Sequence, residues 1–588
     1  MEYIAISGIT DCYPVEHSYW LLTPGCSPHY NNCQLNYNIL GTIQDPFNMP
    51  KELHKSYNEI ITLSNTLISL LSPRLNQIHN LEYSEQYWRI HIGCWTYHYV
   101  AVFYDRYTRL TAAKSAFNKI TVIGDSHSQI DIQKDTRDFH IFATQDSSNL
   151  KFTTKIAEKL NIPIEYAKHY DATLDYKVDK APPKKNIFLN FLRDIKNIIF
   201  IIIDKISAKK STVICQQSYL PVWFQLALFL FTFGKIGFIK ETKDVKINNS
   251  INSSDRSSLS LVPENADPML KLMISLVGDF IPIVFLEGYD RLSIYSQNTY
   301  SKYNPKAIYS SNLWWHHESF KHWAALSNEN GIKIIGGTHG GGAFLYKFKL
   351  VEHFEISVVD HYITWGWKSS SKDLAFPAHK LISFYNSGMK SRNRYTQILY
   401  VITNCPRHNC GFLEDFSLYL GWQERFLKNI SAVIEKNMLI RPHYVDWKWD
   451  IKQRLFNFNN MLSFDNWEYS LQSRMKKSRV CVYDYMGTTF VESLAMNIPT
   501  VIFQSNDIYP ICEEDMIPYF ELLSKVSILH DTPESAMEWL DSVYDRIDEW
   551  WLSDNCQNAV SEFCNIYAKT DTVKNSLSAW SKLTSLSD

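Results

Sequence analysis

Short apolar runs recur along the chain, separated by helix-like stretches, and this alternation constrains the fold more than any other feature. KITVIG (119–124), STVIC (211–215), IPIVFLEG (281–288), AIYSSN (307–312), GIKIIGG (331–337) and HYITWGW (361–367) are rich in β-branched residues. TQILYVITN (396–404), NMLIRPH (437–443), RVCVYD (479–484) and PTVIF (499–503) continue the series. Runs that are apolar at consecutive positions bury both faces, the pattern of parallel strands rather than of half-solvated antiparallel ones. Helical periodicity lies between them, over Lys51 to Leu71, Ser84 to Ala113, Phe152 to Leu160, Glu318 to Ser327 and Leu413 to Lys436. Strands alternating with helices predict an α/β fold with parallel sheets and right-handed crossovers. With 588 residues the chain is too long for one ordinary domain. Two Rossmann-like domains facing a central cleft account for it. One spans 1–370 and the other 395–535, with a linker over 371–394 and closing helices over 536–588.

Composition removes several function classes. A net charge of −2 gives no field that would recruit nucleic acid. The eleven cysteines form no CxxC pair and no cysteine–histidine framework, which argues against structural zinc. With no secretory leader in view, the expectation is reduced thiols in the cytoplasm. Tyr219 to Phe233 is the nearest approach to a membrane span. It is short and carries Pro221 and Gln225, so a buried helix following the STVIC strand is the better reading. Ile187 to Ile206 mixes an apolar body with flanking lysines. That pattern fits peripheral contact with an anionic membrane, or an amphipathic core helix with solvated lysines. Lys240 to Pro268, poor in apolar residues, reads mostly as a loop.

Two stretches carry chemistry. In GIKIIGGTHGGGAF, His339 stands at the carboxyl end of a strand, where open α/β sheets place ligands. Gly340, Gly341 and Gly342 follow it and leave the backbone free to take positive φ and to approach a ligand closely. In YDYMGTTFVESLAMNIPT, the turn Gly487-Thr488-Thr489 lies between a strand and a helix, where N–H groups and hydroxyls can hold a phosphate. Ser493 is placed with that donor site. Glu492, one turn into the helix, can accept from ribose hydroxyls or close a capping box with Thr489. Arg441 and His443 end the preceding strand on the same edge, and an always-charged arginine suits phosphate. Glu287 and Asp290, at the end of the IPIVFLEG run, are candidates for base or nucleophile. There is no GxxxxGK[ST] run, no GxGxxG after the first strand and no Asp-x-Asp motif placed for a divalent metal, so neither metal nor resident cofactor is expected.

The run from Trp88 through Tyr107, FLEGYD, IKIIGGTHGGG, EISVVDHYITWGW, RPHYVDWKWD and YDYMGTTFVESLAMNIPT resembles a family of transferases encoded in bacterial O-antigen and surface-polysaccharide clusters. The His-Gly-Gly and Gly-Thr-Thr elements look, more distantly, like those of GT-B bacterial Kdo transferases, which use CMP-activated acidic sugars. Thr338 stands where those enzymes have Gln, and Ala343-Phe344 where the first family usually has Tyr-Gly. The resemblance implies a GT-B-like, metal-independent glycosyltransferase of O-antigen, lipopolysaccharide or capsule assembly. Its co-substrate would be a CMP- or UDP-linked sugar, its acceptor a lipid-linked or growing glycan, and its location the inner face of the bacterial inner membrane. His339 would then act on the departing phosphate, with retaining and inverting transfer both open. A nucleotide-sugar epimerase and a non-catalytic scaffold of a polysaccharide complex are the alternatives.

Overall fold

A computed structural model describes all residues except 10–11, 29–37, 126–130, 168–199, 241, 248–249, 341, 343, 386–389, 409–415, 506, 508–509, 511 and 587–588. The apolar runs form three parallel sheets. The first contains β1 (Glu2–Ala5), β2 (Ser18–Leu21), β3 (Asn38–Thr42), β4 (Ile120–Asp125) and β5 (Ile164–Ala167), in the order β3-β2-β1-β4-β5. The second contains β6 (Val213–Gln216), β7 (Ile236–Ile239), β8 (Ala307–Tyr309), β9 (Lys333–Gly337), β10 (His361–Thr364) and β11 (Asp373–Ala375), in the order β11-β10-β9-β8-β6-β7. The third contains β12 (Ile398–Val401), β13 (Met438–Arg441), β14 (Ser463–Phe464), β15 (Val480–Tyr483), β16 (Thr500–Phe503) and β17 (Leu529–His530), in the order β14-β13-β12-β15-β16-β17. Counted from its own first strand, the third sheet reads 3-2-1-4-5-6, the doubly wound order of nucleotide-binding folds. The stretch expected as one amino-terminal domain thus holds two sheets.

The helix Glu85–Ala116 joins those two sheets. Residues on every side of it are buried, from Tyr87 round to Arg106, because it has neighbours all round. The helix Pro50–His79 covers one side, Glu318–Glu329 and Leu350–Val358 from the second sheet another, and Thr136–Thr144 and Asp146–Lys159 from the first sheet a third. Two arginines of this helix, Arg89 and Arg106, are held in place by polar partners. Arg89 bonds Glu85 and Asn65, while Arg106 pairs with Asp105 at 2.9 Å and Asn149 at 2.9 Å.

Two expectations need correction. IPIVFLEG is not a strand. Ile283–Phe285 is a single 3-10 turn, and a helix over Tyr289–Tyr300 starts directly after Gly288. Pro282 supplies no N–H and has φ near −58°, and the run turns after two backbone bonds, Ile283 and Val284 donating to the Gln133 and Lys134 carbonyls. The loop expected over 240–268 contains the helix Ser253–Leu259, capped by Asn252. Gly336 and Gly337 complete β9, pressed between Tyr362 of β10 and Tyr309 of β8. Most of Ile187 to Ile206 lies outside the described residues; 200–210 is helical.

The closing helices return to the second sheet. Tyr567 packs on Phe344 with ring centroids 4.4 Å apart, and Trp580 is buried against Tyr309, Phe376 and His379. The helix Val573–Ser581 lies on Val222–Phe231.

Candidate functional site

The carboxyl ends of the second and third sheets face each other, and the two sequence motifs meet there. β9 delivers Thr338, whose N–H donates to the Ile363 carbonyl at 2.9 Å and whose Oγ1 donates to the Gly340 carbonyl at 3.1 Å. This fixes the loop that carries His339. A Cβ on Gly340 would lie 2.8 Å from Thr488 Oγ1, and one on Gly342 3.5 Å from the Met486 carbonyl. Neither glycine takes positive φ. Their lack of a side chain serves close approach between the loops, not an unusual backbone conformation. Gly341 lies outside the described residues.

His339 keeps 31% of its side chain exposed, and its Nδ1 is 3.8 Å from Glu355 Oε1 on the helix Leu350–Val358. Glu355 is fully buried, and its second oxygen accepts from Tyr362 Oη at 3.1 Å. Burial drives the Glu355 carboxyl well above the usual range, so it carries a proton. Burial also lowers the His339 pKa. Glu352 opposes that shift, Lys380 adds to it, and a backbone contact with Ser311, just past β8, opposes it. The imidazole is therefore neutral at pH 7. Neither His339 Nδ1 nor Glu355 Oε1 has a hydrogen-bond partner among the described residues, and the two atoms are buried facing each other.

On the facing side, the switch point of the third sheet falls between β12 and β15, where strand order reverses. A cavity of about 290 Å³ opens there, lined among others by Thr403, Asn404, Trp467, Asp484 and Thr489. Gly487 precedes the helix Thr488–Ala495, whose first N–H groups open toward the Gly340 loop. Asp484 is buried and accepts from the Thr403 N–H and from Gln423 Nε2, each at 2.8 Å, while burial pushes its pKa up to about 7. Asn404 donates to the Val445 and Asp446 carbonyls at 3.0 Å, and its side-chain oxygen has no partner among the described residues.

The sequence profile of the LIC12162 transferases matches residues 8–583. The chain belongs to the LIC12162 family of transferases. No curated protein matches it. Two solved structures are similar at 10% identity and a TM-score of 0.34. One is an alpha,alpha-trehalose-phosphate synthase (UDP-forming) from Burkholderia vietnamiensis, covering 64% of this chain and 96% of that one. The other is Anabaena HepE in complex with UDP and glucose, covering 63% and 99%. Superpositions that loose decide nothing about substrate.

Several expected site residues of this LIC12162 transferase are committed elsewhere. Glu287 is not at a strand end. It forms a two-pronged ion pair with buried Arg256, both bonds 2.8 Å long, and accepts from the Asn252 N–H. Asp290 is exposed in the first turn of the next helix. Ser493 is fully buried and bonds the Phe490 carbonyl and Thr500, so it faces the interior and not a ligand. Glu492 closes no capping box, because it accepts from Gln472 Nε2 at 2.9 Å. Arg441 lines the cavity but is paired with fully buried Asp465 and donates to the Tyr469 carbonyl at 3.1 Å. His443 sits on the cavity rim, stacked on Trp447 at 5.0 Å.

The residues missed are Glu355, Lys380 and Asp484. Lys380 lies over the Tyr219 ring at 4.7 Å. Its charge acts on both His339 and Glu492, so it stands between the two halves of the cleft. Burial lowers its pKa and Glu492 opposes that. Asp484 had a signal, an acid ending the RVCVYD strand. Glu355 opens the EISVVDHYITWGW stretch without anything there marking it as chemical, and Lys380 had no signal, since its partners are distant in sequence. Among the described residues no three His, Cys, Asp or Glu side chains gather as a metal site, and no helix is long and apolar enough to cross a membrane.

Proposed function

We propose that this transferase is a glycosyltransferase that moves a sugar from a nucleotide-activated donor to a surface-glycan acceptor without a bound metal. What supports the reading is the meeting of the His339–Gly340 loop with the helix start at Thr488, beside a cavity at the switch point of a doubly wound sheet. The nucleotide occupies that cavity, with Asn404 and Asp484 as polar contacts and Trp467 offering an aromatic face. The phosphate lies on the N–H groups and hydroxyls of Thr488 and Thr489. The sugar then projects toward His339, and Lys380 offsets charge on the phosphate as it leaves.

With its pKa lowered, His339 is better suited to take a proton than to give one. It accepts the proton of the acceptor hydroxyl as that oxygen bonds to the anomeric carbon and the carbon–phosphate oxygen bond breaks. Protonated Glu355 stands behind the ring, 3.8 Å from Nδ1, and adds no charge there. Glu287 drops out as base because Arg256 holds it. The CMP-linked acidic sugar, with Kdo as the example, and the UDP-linked sugar are the two donor classes proposed. The acceptor is a lipid-linked or growing glycan at the cytoplasmic face of the membrane. Incubation with CMP- and UDP-sugars, with and without lipid-linked acceptor, tests this. Nucleotide release that requires acceptor supports transfer. Sugar conversion without acceptor makes the protein an epimerase, and no turnover under any condition makes it a scaffold.

A further inference from the structure

The helix Val222–Phe231 has a single polar side chain, Gln225, and that amide turns inward to donate to the Leu220 carbonyl at 2.7 Å. Its outer face is therefore apolar. Trp223, Leu230 and Phe231 are exposed, and Phe233 beyond its end is 80% exposed. Phe233 also has φ of +53°, a conformation costly for a bulky side chain and cheap for asparagine or glycine. The ring that this conformation carries stays in solvent. The neighbouring helix, 200–210, adds exposed Ile201, Ile202 and Ile206. Lys205, Lys209 and Lys210 are exposed beside them, and Lys210 Cδ would lie 3.6 Å from a Cβ on Gly234, next to Phe233. Asp204, the only acid among its described residues, is taken up by Lys302 at 2.6 Å and by Tyr303. The result is one surface of exposed large apolar groups fringed by lysines. Isolated exposed apolar side chains are ordinary, whereas a contiguous group with basic flanks marks an interaction site.

We infer that this surface docks on an anionic phospholipid bilayer, with Trp223, Leu230, Phe231 and Phe233 in the headgroup region and the three lysines on lipid phosphates. Tyr219, three residues before the helix, carries Lys380 on its ring, so Trp223 marks the end of this surface nearest the cleft, while Phe233 and Lys210 lie toward the opposite edge of the sheet, beside the start of β6. The inference rests on the reading of the acceptor as lipid-linked, and it names the face of the molecule that meets the lipid.

Sedimentation of the full chain with phosphatidylglycerol/phosphatidylcholine vesicles, against pure phosphatidylcholine, tests it. Binding is expected on the anionic vesicles alone and is released by high salt. Replacing Lys205, Lys209 and Lys210 by Gln lowers partition by about fivefold per lysine. Phe233→Asn removes the ring while relaxing the backbone, so its melting temperature holds or rises while partition falls at least tenfold. A folded Phe233→Asn protein that binds like the wild type overturns the inference, as does a wild type that ignores both vesicle types. A dimer that Leu230→Gln dissociates, without vesicle binding, assigns the face to a second copy. Vesicle binding is measured without donor, and turnover is measured on a water-soluble acceptor. Failure to dock and failure to transfer therefore register separately.

Discussion

His339 and Asp484 face one cleft, yet burial moves their protons in opposite senses. A histidine loses its charge in a dry site and a carboxyl keeps its proton, because both avoid being ionic there. For Asp484 the consequence is a stability that depends on pH. Its folded pKa of about 7 lies above the ordinary value of 3.8. The contribution is fully present below pH 3.8 and is lost as pH rises through 7. Thermal melts of wild type and Asp484→Asn across that window should show the wild type losing ground by up to a few kcal/mol. A constant difference between the two would place Asp484 in a wetter environment than the structure gives it. Glu287 separates structure from chemistry in another way. Glu287→Gln leaves Arg256 buried beside a neutral amide, and breaking such a pair costs about 3–5 kcal/mol. Melting temperature should fall, while kcat per folded molecule stays near the wild-type value. A large loss of kcat without loss of stability would return Glu287 to the reaction.

At the scale of elements, the strands of the third sheet were legible because β-branched runs buried on both faces leave few alternatives. The Gly-Thr-Thr helix start was legible for the same reason, since a turn with no room for another structure follows its strand. IPIVFLEG shows where that reasoning ends. Its apolar run is as continuous as that of β15, but Pro282 and the pull of Arg256 on the Gly278 and Ile281 carbonyls, at 2.9 and 2.8 Å, fold it into a turn. The partner lies far along the chain, so periodicity carries no trace of it. Gly340 and Gly342 were read for backbone freedom and prove to matter for proximity. Gly340→Ala therefore sets a Cβ against Thr488 Oγ1, and Thr488→Ala removes that oxygen. A double-mutant cycle on stability should show the second change offsetting the first by about 0.5–3 kcal/mol, the range for residues in contact. Strict additivity would mean that the two loops do not touch.

For the molecule as a whole, the alternation of strands and helices gave the class and the cleft but not the number of sheets. The first sheet was hidden inside a long amino-terminal block, because its β3-to-β4 connection is a pair of helices over Pro50–His79 and Glu85–Ala116. The second of these is buried all round by tertiary neighbours that sequence does not name. With no carboxylate group gathered for a cation among the described residues, turnover should survive EDTA. Loss on chelation with recovery on Mn²⁺ would overturn the metal-free reading.

The central claim, that one site is built by two loops from two sheets, is tested most directly by turnover against melting temperature in His339→Ala. A group that takes the acceptor proton contributes roughly 10² to 10⁴ in rate. His339 keeps 31% of its side chain exposed, so melting temperature and donor affinity should hold while turnover falls by that factor. His339→Gln should behave alike in rate, since it hydrogen-bonds without taking a proton. Unchanged turnover, or a loss of activity that only tracks an early melt, would contradict the account.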